Sequence, residues 1–196
     1  MKLRFRPFLT AALFALGVLS TPALSQDSGW FVGGGGGLSK FTDGCPSGVT
    51  AGASCDDRGN SWRVFGGYQF NANFGYELGY ADLGKVTQST ATESASFKAK
   101  TYEMVLVITL PINQWYSFYG KYGIFHWDVD RNIDGAGAGT ASANGKDTTA
   151  ALGLKYNISK KFALKLEWQR YLDVGDPGIT GRTNIDDYGL SVVYSF

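Results

Sequence analysis

Histidine occurs once and cysteine twice in the 196 residues. That is too few for a multi-ligand zinc site or an iron-sulfur cluster. An excess of one charge is missing too: 18 Lys and Arg face 17 Asp and Glu, a formal net charge of +1. Without a basic excess there is no general electrostatic case for nucleic acid as a partner. Long hydrophobic runs are scarce. Beyond the N-terminal segment the longest uncharged, mainly apolar run is Met104 to Ile112, far below the roughly 18 residues of a spanning helix. A helical inner-membrane protein is thereby excluded. What is abundant is glycine, 27 residues, and aromatic side chains, 15% of the chain, against 18% charged. This balance suits many strands and turns.

Residues 1–25 carry Lys2, Arg4 and Arg6, then the mostly apolar stretch Phe8 to Leu19, then Ala23, Leu24 and Ser25. This is the three-part pattern of a secretory signal peptide, expected to be cleaved before Gln26. A stretch of this length rises only about 18 Å as a helix, short of the roughly 30 Å hydrocarbon core. Cleavage removes three cations and no anions, which leaves 15 basic and 17 acidic groups in residues 26–196. Cys45 and Cys55 both fall in the exported part, where an oxidising compartment would pair them.

Past residue 25, alternation with period two dominates. The series Phe74, Tyr76, Leu78, Tyr80 is one example, and Tyr102, Met104, Leu106, Ile108, Leu110 is another. Phe162, Leu164, Leu166, Trp168 and Tyr188, Leu190, Val192, Tyr194, Phe196 repeat the pattern. Each marks one face of a strand. The opposite faces carry Arg63, Gln69, Glu77, Glu103, Lys121, Lys155, Lys165, Glu167 and Gln169. Eight such segments are joined by connections at 41–60, 71–73, 84–96, 111–114, 129–146, 158–160 and 173–184, long and short in strict alternation. Long loops on one side, short turns on the other and an even strand number describe a membrane barrel. A strand protein spans hydrocarbon only when closed, because each unpaired backbone group there costs several kcal/mol. The expected fold is all-β, an eight-stranded antiparallel up-and-down transmembrane barrel over residues 26–196. Trp30, Trp62, Tyr68, Phe70, Phe74, Trp115, Tyr116, Trp127, Phe162, Trp168 and Phe196 are expected in its interfacial girdles.

Seven segments also resemble, in order, the OmpA-like transmembrane barrel family. They are GWFVGGG at 29–35, FGGYQFN at 65–71, FGYELGY at 74–80, YGKYGIFHWDVD at 119–130, LGLKYNIS at 152–159, LKLEW at 164–168 and YGLSVVYSF at 188–196. The resemblance implies a barrel in the outer membrane of a Gram-negative bacterium, contacting outer-membrane lipid and lipopolysaccharide. It implies handling by periplasmic chaperones and recognition of the C-terminal aromatic by the barrel-assembly machinery. Phe196, with Tyr194 and Val192 on the same face, fits that assembly signal. Larger family members append a periplasmic peptidoglycan-binding domain, an activity not carried over to this chain.

Four cations, Arg63, Lys121, Lys155 and Lys165, and three anions, Glu77, Glu103 and Glu167, are expected to share a lumen just wide enough for side chains. Low dielectric favours their pairing, and the resemblance implies the same. Glu77 with Lys155 or Lys165 is the preferred central pair. Two uses follow: a structural plug, or a gate that re-pairs to pass small solutes as a narrow porin. Cys45 and Cys55 would staple the first long loop; a redox role needs a reactive thiolate and usually closer spacing. The glycine run at 33–37 lacks the features of a phosphate-binding loop and suits a tightly curved strand. His126, two residues before Asp128, resembles the His-x-Ser of outer-membrane lipid A deacylases, but Asp128 stands where the nucleophile would be. No catalytic residue, metal or cofactor is expected. Asp56 with Asp57, Asp128 with Asp130 and Asp173 with Asp176 read as solvated loop ends, with divalent cations as the alternative. Residues 136–144, small and of low complexity, read as a mobile loop tip. Function is expected to be structural and surface-interacting, with the long loops presented to host or surface ligands.

Overall fold

The computed structural model describes residues 28–42, 54–89, 93–135 and 138–196. The expected signal peptide and the side chains of Cys45 and Cys55 lie outside the described residues. Nine strands form among those described: β1 Gly29–Phe41, β2 Ser54–Asp56, β3 Arg58–Gln69, β4 Phe74–Ser89, β5 Glu93–Pro111, β6 Tyr116–Gly135, β7 Gly139–Asn157, β8 Phe162–Val174 and β9 Thr183–Ser195. β2 and β3 lie along the same edge of β4 and make one stave. Every neighbouring pair is antiparallel, and β1 pairs with both β3 and β9. The pairing of β4 with β5 completes the ring. The architecture is a closed eight-stranded up-and-down barrel. Closure leaves no edge of unpaired backbone to face hydrocarbon.

Alternation sets which side chains face outward. Leu106 is 65% exposed, and Trp30, Val64, Leu78, Ile108, Phe118, Leu152, Leu166 and Leu190 are exposed with it. In water such a belt would be an aggregation liability; against lipid it is the apolar wall. The short turns are built from local side-chain caps. Asn71 Oδ1 accepts from the amides of Asn73 and Phe74, both at 2.9 Å. Asn113 Oδ1 does the same for Trp115 and Tyr116, at 2.8 and 2.9 Å, and Ser159 Oγ for Phe162 at 3.1 Å. These residues mimic a backbone turn, which is why so few of them reverse the chain.

The opposite end differs from the sequence expectation. Residues expected to form the connection 84–96 are strand to Ser89 and again from Glu93. Those of 129–146 are strand to Gly135 and from Gly139. Residues 139–144 are thus β7 and not a loop tip. Beyond the bilayer neither face of a hairpin meets lipid, so alternation fades while the backbone ladder continues. Trp127 is also misplaced by the girdle expectation. Outward positions on β6 are Phe118, Tyr122, Ile124 and His126, so Trp127 points inward, where it is buried and donates from Nε1 to Asp147 Oδ2 at 3.0 Å.

Candidate functional site

The inward positions of the strands converge on two layers across the lumen. The first is ionic. Glu77, completely buried on β4, accepts from Lys121 Nζ at 2.7 Å and from Lys165 Nζ at 2.8 Å. Lys121 also reaches Glu167 Oε2 at 2.9 Å. Glu167 continues to Arg63 and accepts from the Tyr119 hydroxyl at 2.8 Å. Arg63 then pairs with Asp187 at 2.6 Å and donates to Gln169 Oε1 at 2.9 Å. Lys165, Glu77, Lys121, Glu167, Arg63 and Asp187 thus make one unbroken chain of opposite charges contributed by β3, β4, β6, β8 and β9. Ion pairs taken out of water need such geometry to offset desolvation.

Glu103 joins differently from its expected ion pair. It accepts from Gln169 Nε2 at 2.5 Å and from the Tyr171 hydroxyl at 3.1 Å. Gln169 also donates to Thr149 Oγ1 at 3.0 Å. Lys155 stands apart: its partner in the β7–β8 register is Lys165, and no ion pair among the described residues includes it. Asp187, Tyr119, Tyr171 and Ser61, whose hydroxyl donates to Asp187, were not singled out in the sequence. Parity was the available signal: Asp187 is one residue before the outward Tyr188, Tyr119 one after the outward Phe118, and Tyr171 three after the outward Trp168.

The second layer is apolar and lies toward the long-loop end. Phe41, Leu83, Phe125, Trp127, Val129, Tyr171, Val174 and Ile185 are buried together. Phe125 meets Tyr171 edge to face at a centroid distance of 5.1 Å. Inward glycines make room for the large rings. A Cβ on Gly145 would lie 2.4 Å from Trp127, and one on Gly153 would lie 2.3 Å from Tyr119.

Two outward features complete the geometry. Arg58, Lys40, Asp186 and Arg170 occupy one row across β3, β1, β9 and β8. Arg170 pairs with Asp186 at 2.7 Å, and Trp168 Nε1 donates to the same carboxylate at 2.9 Å. At the short-turn end Val192 and Phe196 are exposed, and Tyr194 lies edge to face with Phe196 at 5.2 Å. His126 sits on the outer wall, with Nε2 3.6 Å from Asp128 Oδ1. Among the described residues no cluster of His, Cys, Asp and Glu is arranged to hold a metal.

A model of the OmpA-like transmembrane domain matches residues 25–196. Outer membrane protein A of Serratia marcescens is 28% identical over 184 residues, covering 89% of this chain and 51% of that protein. The chain therefore spans about half the length of that relative. Among solved structures, Neisserial surface protein A has a TM-score of 0.62 at 14% identity, covering 87% of this chain and 99% of the other. The Yersinia pestis attachment invasion locus protein Ail, crystallised with the heparin analogue sucrose octasulfate, gives 0.57 at 15% identity, covering 87% and 99%. At these identities the structures are alike in fold.

Proposed function

Because the chain belongs to the OmpA-like transmembrane domain family of outer-membrane barrels, we propose that it is a non-conducting structural element of that membrane whose long loops meet surface ligands. The observation that carries this reading is the pair of layers across the lumen. A solute crossing the barrel must part the chain from Lys165 to Asp187 and then displace the packed cluster around Phe125 and Tyr171. A gate needs a second stable pairing for its charges; here each carboxylate of the chain already has two or more partners. Planar-bilayer recordings of refolded protein test the reading. Silence is expected from the parent protein and from Glu77→Ala alike, since the apolar layer remains. Reproducible steps whose size changes in Glu77→Ala would establish the narrow porin instead.

The row Arg58, Lys40, Asp186, Arg170, three cations to one carboxylate of which only Arg170 is paired with it, supports contact with lipid phosphates of the outer leaflet. Lipopolysaccharide retained through purification should fall in a Lys40→Gln, Arg58→Gln double variant. Cys45 and Cys55 close a loop staple in this proposal. Non-reducing mass analysis of a fragment holding both should show a gain of mass on reduction, and no change would remove the staple. Catalysis has no part in the proposal; Asp128 supplies no attacking hydroxyl beside His126.

A further inference from the structure

At the short-turn end the barrel is hollow. A cavity of about 720 Å³ opens there, bounded below by Glu77, Tyr119 and Lys165 and at its side by Lys155. That volume falls within the range of small-molecule sites, about 300–1,000 Å³. The side chains lining it include four lysines, Lys155, Lys160, Lys161 and Lys165, and one carboxylate, Glu77. Glu77 is already committed to Lys121 and Lys165. Lys165 spends its ammonium there and lies over the rings of Phe65 and Tyr119, at 4.7 and 4.6 Å. Lys155 is directly opposite Lys165 in the strand register, an arrangement in which like charges repel. Among the described residues no carboxylate lies within ion-pair distance of Lys155, Lys160 or Lys161. A partly buried ammonium beside a second one, in a low-dielectric wall, draws a counter-anion.

We propose that this vestibule binds a phosphate monoester or diester, with the oxyanion at Lys155. Its organic part lies along Phe31, the inward neighbour of the lipid-facing Trp30, and along Trp115, which line the same cavity. Phosphate chemistry suits the site because its oxygens accept several charge-assisted hydrogen bonds from converging lysines. Such a group reaches the vestibule either on a phospholipid of the inner leaflet or free in the periplasm, since short turns mark the periplasmic side.

The test uses the full chain refolded in uncharged maltoside micelles, with a water-soluble acylating reagent read out by mass spectrometry. Sodium phosphate is expected to slow acylation of Lys155 several-fold relative to sodium chloride at matched ionic strength. Lys146, exposed on the long-loop half of β7, should react equally in both salts. Calorimetric titration with inorganic phosphate should show binding that weakens about tenfold or more in Lys155→Gln, the loss of one charge-assisted hydrogen bond. Nanodiscs separate the two sources. Protection in phosphatidylglycerol discs without added phosphate, absent from galactolipid discs, identifies the lipid headgroup; protection that appears only with soluble phosphate identifies a free ligand. Equal reactivity of Lys155 in phosphate, chloride and both kinds of disc, or calorimetric heat unchanged in Lys155→Gln, would overturn the site. Heat-dependent gel migration of Lys155→Gln verifies that the variant is folded.

Discussion

Lys121 is the residue on which the ionic layer turns, because its ammonium bridges two carboxylates, Glu77 and Glu167, at 2.7 and 2.9 Å. Replacing it with Met keeps the length of the side chain and removes the charge. Glu77 retains Lys165 and Glu167 retains Arg63, yet each loses a buried partner. The expected cost is about 3–5 kcal/mol, the range for breaking a buried pair. Urea unfolding from phospholipid vesicles measures it, and adding Glu77→Gln to Lys121→Met should recover part of the loss. A Lys121→Met protein as stable as the parent would mean that the chain of charges is held apart by water. The charged members of this layer were visible in the sequence as inward positions of apolar strands. Asp187 was less so, because it lies where β9 leaves the bilayer and its neighbours Asp186 and Ile185 no longer alternate cleanly. Lys155 looked equivalent to Lys165 in the sequence, since period two fixes a face and says nothing about which carboxylate each ammonium reaches.

At the level of strands, lipid contact explains what the pattern could and could not reveal. Within the bilayer the outward positions are apolar, aromatic or glycine as far as the row of Tyr102 and His126, so β5 from Tyr102 to Leu110 could be placed residue by residue. Beyond it, β6 and β7 continue paired from Val129 opposite Ala143 to Ile133 opposite Gly139, with water on the outside. Small and polar residues satisfy that environment as well as a loop does, and the boundary vanished from the sequence. A ribbon that extends in this way is attached to the barrel through its ladder and adds nothing to the membrane wall. Excising residues 131–141 and joining Asp130 to its register partner Ser142 through a two-residue Asn-Gly turn should leave a protein that still migrates differently on a gel before and after boiling. A variant that migrates identically in both states would show that the ribbon is needed for closure.

For the whole molecule, one division of labour governs the barrel: hydrocarbon covers the apolar wall, while the ionic chain and the apolar cluster share the interior. Glu77 is completely buried while its neighbour Leu78 is exposed, and that one-residue contrast recurs at Lys165 with Leu166 and at Val105 with Leu106. Since adjacent residues of a strand point to opposite faces, slipping the register by one would turn every charge toward lipid. A photoactivatable probe dissolved in the acyl chains of the vesicle, followed by mass spectrometry, reads this contrast directly. Labelling is predicted at Leu78, Leu106 and Leu166, with Glu77 and Lys165 untouched. Adducts on Glu77 or Lys165 with the three leucines spared would contradict the account.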